Sequence, residues 1–212
     1  MDGVSLGRLH FRVCKQLTFG RKAAQPTLHA RPRTLHRINT PSIKSHTMKL
    51  KILVGSMTHT AAMVAQAVQM ECADFVANVE IEWMDGLDIA VFDPCKAAGV
   101  VFLICISTYG AGDVPDNAQA LYQSLAETPR YLGHLRYGVI ALGDSTAHAQ
   151  TFCFGGKQFD ARLQDLGGQR IGDLCLLDSG DGTSPEAAAI AWCRPWLGAA
   201  LLAQAGESAF SS

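Results

Sequence analysis

Three short stretches hold residue types suited to binding a phosphorylated, planar ligand. The first, Ser56-Met57-Thr58-His59-Thr60, sets three hydroxyls and a run of backbone N–H groups directly before an amphipathic helical pattern. Unpaired donors at a helix amino end, together with the helix dipole, favour an anion. No lysine stands where a nucleoside-triphosphate loop needs one, and no GxGxxG is present. Ordinary N-capping is the competing reading of the same hydroxyls. The second stretch runs from Ser107 to Asn117 and places Tyr109 among small residues. Its ring can stack on a flat ligand, and Gly110 and Gly112 permit backbone conformations that other residues resist. A surface turn with an exposed tyrosine is the alternative. The third stretch supplies Gly143, Asp144, His148 and Phe152. A histidine on a loop is ordinarily solvated, and a phenylalanine there is ordinarily core. No Ser/His/Asp or paired-carboxylate arrangement points to hydrolysis.

Each stretch follows an apolar run and precedes a helical pattern. Lys49–Val54 leads to Ala61, Val64, Val68 and Cys72, one face of a helix. Val100–Ile106 leads to Ala118, Leu121, Tyr122 and Leu125. Tyr137–Leu142 leads to a helix from near Gly155 that buries Phe159, Leu163 and Leu166 and ends at Gly167-Gly168. Two more strands are expected, Val79–Met84 by alternation and Gln169–Asp178 centred on Leu174–Leu177. Residues 85–99 read as a loose connection holding at most a short helix. Pro185 suits the first turn of a last helix carrying Ile190, Trp196, Leu197 and Leu201, with Pro195 as a kink. Five strands alternating with helices specify an α/β chain with a doubly wound parallel sheet and right-handed crossovers. Such sheets bind ligands at the carboxyl ends of their strands.

The 212 residues are 48% hydrophobic and 17% charged, enough for one core, and no apolar stretch is long enough to suggest a membrane span. Seven cysteines form no CxxC pair, which fits a reducing compartment. Cys105 and Cys175 sit inside apolar runs, where a free thiol acts as a small hydrophobe. The near-neutral total hides two unequal parts. Residues 1–47 carry nine of the 18 Lys/Arg and one acid, leaving nine bases against eighteen acids from Met48 onward, a net −9. The acidic part is expected to meet a basic protein and not to bind nucleic acid. Residues 1–47 read as a disordered basic extension: a transit peptide, a nucleic-acid-binding arm, or, the favoured reading, a leader ahead of a true start at Met48. Residues 48–202 are expected to form the domain, and 203–212 a flexible tail.

The motifs also carry a family resemblance. Gly55-Ser56-x-Thr58-x-Thr60-Ala61, Ser107-Thr108-Tyr109-Gly110-x-Gly112-Asp113-x-Pro115-Asp116-Asn117-Ala118 and Leu142-Gly143-Asp144-Ser145 resemble the flavodoxin family. So do Thr151-Phe152-Cys153, Gly156-Lys157, Asp160 and Leu163, and the run from Leu166 to Ile171. The likeness is to short-chain flavodoxins of the MioC type and to the flavin-binding domain of diflavin reductases. It implies a three-layer, five-stranded sheet of order 2-1-3-4-5 and noncovalent flavin mononucleotide (FMN). The phosphate would sit on Ser56, Met57, Thr58, His59 and Thr60. The ring would lie between Thr108, Tyr109, Gly110, Gly112 and Asp113 on one side and Leu142, Gly143, Asp144, His148 and Phe152 on the other. Tyr109 would cover one face, and the backbone of Gly110 would meet the flavin N5 region.

Two departures stand out. His59 takes a place where related loops usually carry glycine. If that place needs positive φ, the strain is roughly 1–3 kcal/mol; a protonated imidazole would instead help neutralise the phosphate. Ala147-His148 replaces a tyrosine, with one residue extra. The resemblance implies a cytoplasmic, monomeric electron carrier between a basic reductase and an acceptor enzyme. The competing expectations are an NAD(P)H-dependent flavin oxidoreductase and a flavin-free interaction module.

Overall fold

The computed structural model describes residues 48–210; the readings made for residues 1–47 lie outside the described residues. The elements follow in the order β1 (Lys49–Gly55), α1 (Thr60–Cys72), β2 (Asn78–Trp83), α2 (Pro94–Ala97), β3 (Val100–Ser107), α3 (Asp116–Glu127), β4 (Arg136–Gly143), α4 (Phe154–Asp165), β5 (Gln169–Arg170), β6 (Cys175–Asp178) and α5 (Pro185–Phe210). All strand pairings are parallel, in the order β2-β1-β3-β4-β5, with β6 also on β4.

Alternation along the three central strands feeds two separate cores. Leu50, Ile52 and Val54 of β1, Val101, Leu103 and Cys105 of β3, and Ile140 and Leu142 of β4 pack with α1 and α5. The residues between them, Leu53, Phe102, Ile104, Ile106, Val139 and Ala141, pack with α3 and α4. Strands buried on both faces are near-continuously apolar, which is why these runs read as strands despite lacking polar alternation. The helical faces also match expectation: Ala61, Val64, Val68 and Cys72 have no exposed surface, nor do Phe159 and Leu163, while Leu166 is half-buried.

One expectation is corrected. Gln169–Asp178 is not one strand: β5 and β6 share the fifth position, separated at Ile171–Leu174. Gly172 there has φ +67, and its carbonyl accepts from the Arg170 Nε. That left-handed turn breaks the ladder. The last helix, α5, continues to Phe210. Leu201-Leu202-Ala203-Gln204-Ala205 are strong helix formers with no proline among them. Pro195 stays within α5. The carbonyl its missing N–H leaves unpaired belongs to Ala191, which is exposed and open to water.

The short strand β5 is held by a buried polar cluster. Asp160 of α4, 6% exposed, accepts from Arg170 at 2.5 Å, from the Tyr137 hydroxyl at 2.9 Å and from Gln164 at 2.9 Å. Burial, followed by the neighbouring carboxylate, raises the Tyr137 phenol above its ordinary range. Removing the cation strands a buried carboxylate. Arg170→Met is therefore expected to lower the unfolding free energy by about 2–4 kcal/mol in urea denaturation, and adding Asp160→Asn should recover part of that loss.

Candidate functional site

In-register pairing brings three chains to one level at the carboxyl edge. Gly55 stands opposite Ile106, and Ser107 opposite Leu142. The Thr108 amide donates to the Leu142 carbonyl at 3.0 Å, tying the second loop to the third. The sheet order reverses between β1 and β3, which opens a crevice there.

In the first loop the Ser56 hydroxyl donates to the Thr58 carbonyl at 2.5 Å and accepts from the Thr58 amide at 3.1 Å. The Ser56 amide donates to the Asn117 side chain at 2.8 Å. Ser56 thus shapes the turn with its own polar groups. The helix α1 begins after His59, with no side-chain cap at its amino end. His59 itself has φ −77, so the expected strain does not arise. Positive φ falls instead on Cys153, at +56, ahead of α4. Its thiol donates to the Ala141 carbonyl at 3.1 Å, and burial pushes that thiol up to about 11.

The second loop is a tight reversal: the Tyr109 amide donates to the Asp113 carbonyl at 2.9 Å, and the Asp113 amide returns to the Tyr109 carbonyl at 2.8 Å. Gly110 has φ +52 and Gly112 φ +119. A Cβ on Gly112 would also meet Thr151 at 3.0 Å and Phe154 at 3.2 Å. The reversal leaves the Tyr109 ring 50% exposed.

Carboxylates hold the third loop. Asp144 accepts from Thr146 and from the Ala147 amide, and Asp178, at the end of β6, accepts from Ser145 and from the Gly180 amide. Those bonds, the hydroxyl donors first, hold both carboxyls below the ordinary range.

The loops enclose a cleft of about 190 Å³. Thr58, Thr60, Thr108, Gly110, Leu142, Gly143, Asp144 and His148 line it, as do Ser107, Thr151, Leu177, Ser179 and Pro185. Ser56 and Met57 line a neighbouring depression with Asp85, Asp116 and Asn117. His59, Tyr109, Gly112, Asp113 and Phe152 are not walls of the cleft. Phe152 packs on the α3–α4 core beneath Lys157. Sequence reasoning missed the end of β6 and the segment after it, because Leu177, Ser179 and Pro185 belong to no motif. Its only signal was a turn after an apolar run, and the Ser179 amide ties it to the Gly143 carbonyl at 2.9 Å.

The wall carries hydroxyls, two glycines and two leucines, with Asp144 its one acidic and His148 its one basic side chain. An uncapped helix start, a glycine reversal and a half-exposed tyrosine suit a phosphate joined to a flat ring. No group of side chains among the described residues is arranged to hold a metal ion.

Comparison with known proteins agrees with this fold. Residues 52–192 match the family model for flavodoxin. The flavodoxin YqcA of Escherichia coli (strain K12) is 44% identical over 94 residues, covering 44% of this chain and 62% of that relative, less than two thirds of its length. Flavodoxin YqcA of Pectobacterium carotovorum is 34% identical over 155 residues, 70% of this chain and 94% of the relative. The NADPH-sulfite reductase flavoprotein alpha-component of Vibrio cholerae is 41% identical over 125 residues, 58% of this chain and 19% of the relative. Among solved structures, a cysteine-to-serine mutant of a Pseudomonas aeruginosa flavodoxin aligns with a TM-score of 0.60 and 32% identity, over 72% of this chain and 98% of that one.

The loop geometry can be tested at its glycines and its carboxylates. Gly112→Ala should cost about 1–3 kcal/mol in urea unfolding, since φ +119 strains any side chain, whereas Gly110→Asn at φ +52 should cost less. Because the folded pKa values of Asp144 and Asp178 are depressed, their stabilisation is complete above the ordinary carboxyl range. It is lost as pH falls through the depressed values. Asp178→Asn should therefore flatten the acid side of a melting-temperature profile.

Proposed function

The chain belongs to the flavodoxin family, whose members bind FMN and transfer electrons, and we propose that its cleft holds FMN for one-domain electron shuttling between a reductase and an acceptor. The observation carrying this reading is convergence: Thr60 at the uncapped start of α1 and Gly110 of the Tyr109–Asp113 reversal line the same cleft. In this reading Thr58, Thr60 and the first-turn amides of α1 hold the phosphate. Ser56 and Asn117 keep that loop in shape. The isoalloxazine ring lies between the second and third loops, with the exposed Tyr109 ring against one face and Gly110 permitting close backbone approach. Bound FMN supplies the redox chemistry, and the protein supplies orientation, shielding from water and local charge. Asp144, held ionised by its loop, disfavours added negative charge nearby and so shifts the potential downward.

Charge and exposure support a basic protein partner. Asp85, Asp113 and Asp181 are exposed on loops at the carboxyl edge, Asp116 is exposed at the start of α3, and residues from Met48 onward sum to −9. Met57, Tyr109 and Phe154 add apolar contacts, each 44–50% exposed. An acidic rim around an apolar spot speeds encounter with a basic surface and weakens with salt. No helix among the described residues is long and apolar enough to cross a membrane.

Titration of the purified chain with FMN, followed by flavin fluorescence, tests the reading. Quenching with saturation is expected, and Tyr109→Ala should weaken binding about tenfold, or about 1.4 kcal/mol. A protein that leaves FMN fluorescence unchanged would be a flavin-free module. Steady-state NAD(P)H oxidation by the FMN-loaded protein without a reductase would make it an oxidoreductase in its own right.

A further inference from the structure

Cys72 is the last residue of α1, and Cys193 lies in the body of α5. Their Sγ atoms are 3.2 Å apart, and neither residue has exposed surface. A disulfide measures about 2.05 Å, so bonding requires about 1.2 Å of closure, on the scale of ordinary thermal displacement. The two helices pack directly against each other, and nothing separates the sulfurs. A surface groove between the helices ends on them, flanked by Glu71, Phe75, Arg194 and Leu197. The Arg194–Glu71 ion pair at this groove, at 2.6 Å, has its arginine 66% exposed. A pair so exposed contributes little and opens readily.

The pair also differs from its neighbours. Cys105 and Cys175 lie in the same core but on the sheet, where the Cys105 thiol donates to the Ala61 carbonyl. Cys95 is exposed, on the short helix α2. The hydrogen bond shared between the two sulfurs, and then burial, raise the Cys193 pKa, so Cys193 rests as a thiol and reacts only when the end of α1 loosens.

We propose that Cys72 and Cys193 are a reversible redox-modification site, a dithiol that hydrogen peroxide converts to a disulfide stapling α1 to α5. One thiolate attacks a peroxide oxygen, giving a sulfenic acid, and the departing hydroxide leaves as water with the thiol proton. The second sulfur attacks the sulfenic sulfur, forming the S–S bond and expelling a second water. The two thiols lose two electrons in all, and the peroxide gains them. A small dithiol reductant reverses the change by thiol–disulfide exchange. The bond spans 121 residues of sequence, so it removes much freedom from the unfolded chain.

The test treats the full chain with hydrogen peroxide under native conditions, followed by intact mass and non-reduced peptide mapping. The expected result is loss of two hydrogens, a peptide joining Cys72 to Cys193, and a melting temperature higher by roughly 5–10 °C that dithiothreitol reverses. Cys72→Ala and Cys193→Ala should each abolish both the link and the shift. Mapping of the unsubstituted chain decides the matter even where a variant fails to fold. A link from Cys193 to Cys175, sulfinic acid at either residue without a link, or both thiols intact under conditions that oxidise the exposed Cys95 would each overturn the assignment.

Discussion

Parallel, in-register pairing of β1, β3 and β4 is the constraint on which the site depends. It brings Gly55, Ser107 and Gly143 to the same edge, so three chains leave the sheet side by side. The pairing is secured by burial on both faces: alternate residues of each strand face the α1–α5 core or the α3–α4 core. A slip of one residue would exchange the two sets of side chains. Register, and with it the level of the loops, is therefore determined by packing far from the cleft.

Within the loops, polar groups are divided between shaping the backbone and facing outward. The Ser56 hydroxyl and the Asn117 amide are engaged in holding the first turn, whereas Thr58 and Thr60 line the cleft. Asp144 and Asp178 are likewise engaged with the third loop, which keeps them ionised without a cation beside them. The amino end of α1 brings hydroxyls to the cleft, and no lysine or arginine lines it. That suits a ligand held without covalent attachment at an acidic surface, where a basic partner can approach. The backbone conformation that costs energy sits at Cys153, buried beneath the third loop, and the thiol's bond to the Ala141 carbonyl anchors it there.

The two helices that begin at the cleft, α1 and α5, also meet at their thiols. Thr60 and Pro185 open those helices and wall the cleft, while Cys72 and Cys193 join them farther along. The longest helix thus packs on the same sheet face as α1, in one core with it.

The sequence by itself determined the elements and their order. Continuous apolar runs and the spacing of Ala61, Val64, Val68 and Cys72 are local consequences of burial on two faces or on one. Gly110 and Gly112 announced positive φ because glycine alone adopts it at no steric cost. The sequence also held the hydroxyls and loop residues that wall much of the cleft, through motifs contiguous in the chain. What it did not reveal depends on groups distant in sequence. The split into β5 and β6 follows from a turn at Gly172, and Arg170 is drawn to Asp160 on another element. Leu177, Ser179 and Pro185 reach the cleft only because β6 pairs with β4. Phe152 turned to the core and His59 took an ordinary helical φ, since the packing around a residue, and not its type, decides its rotation. The contact between Cys72 and Cys193 belongs to the same class: no spacing predicts it, and helix packing alone creates it.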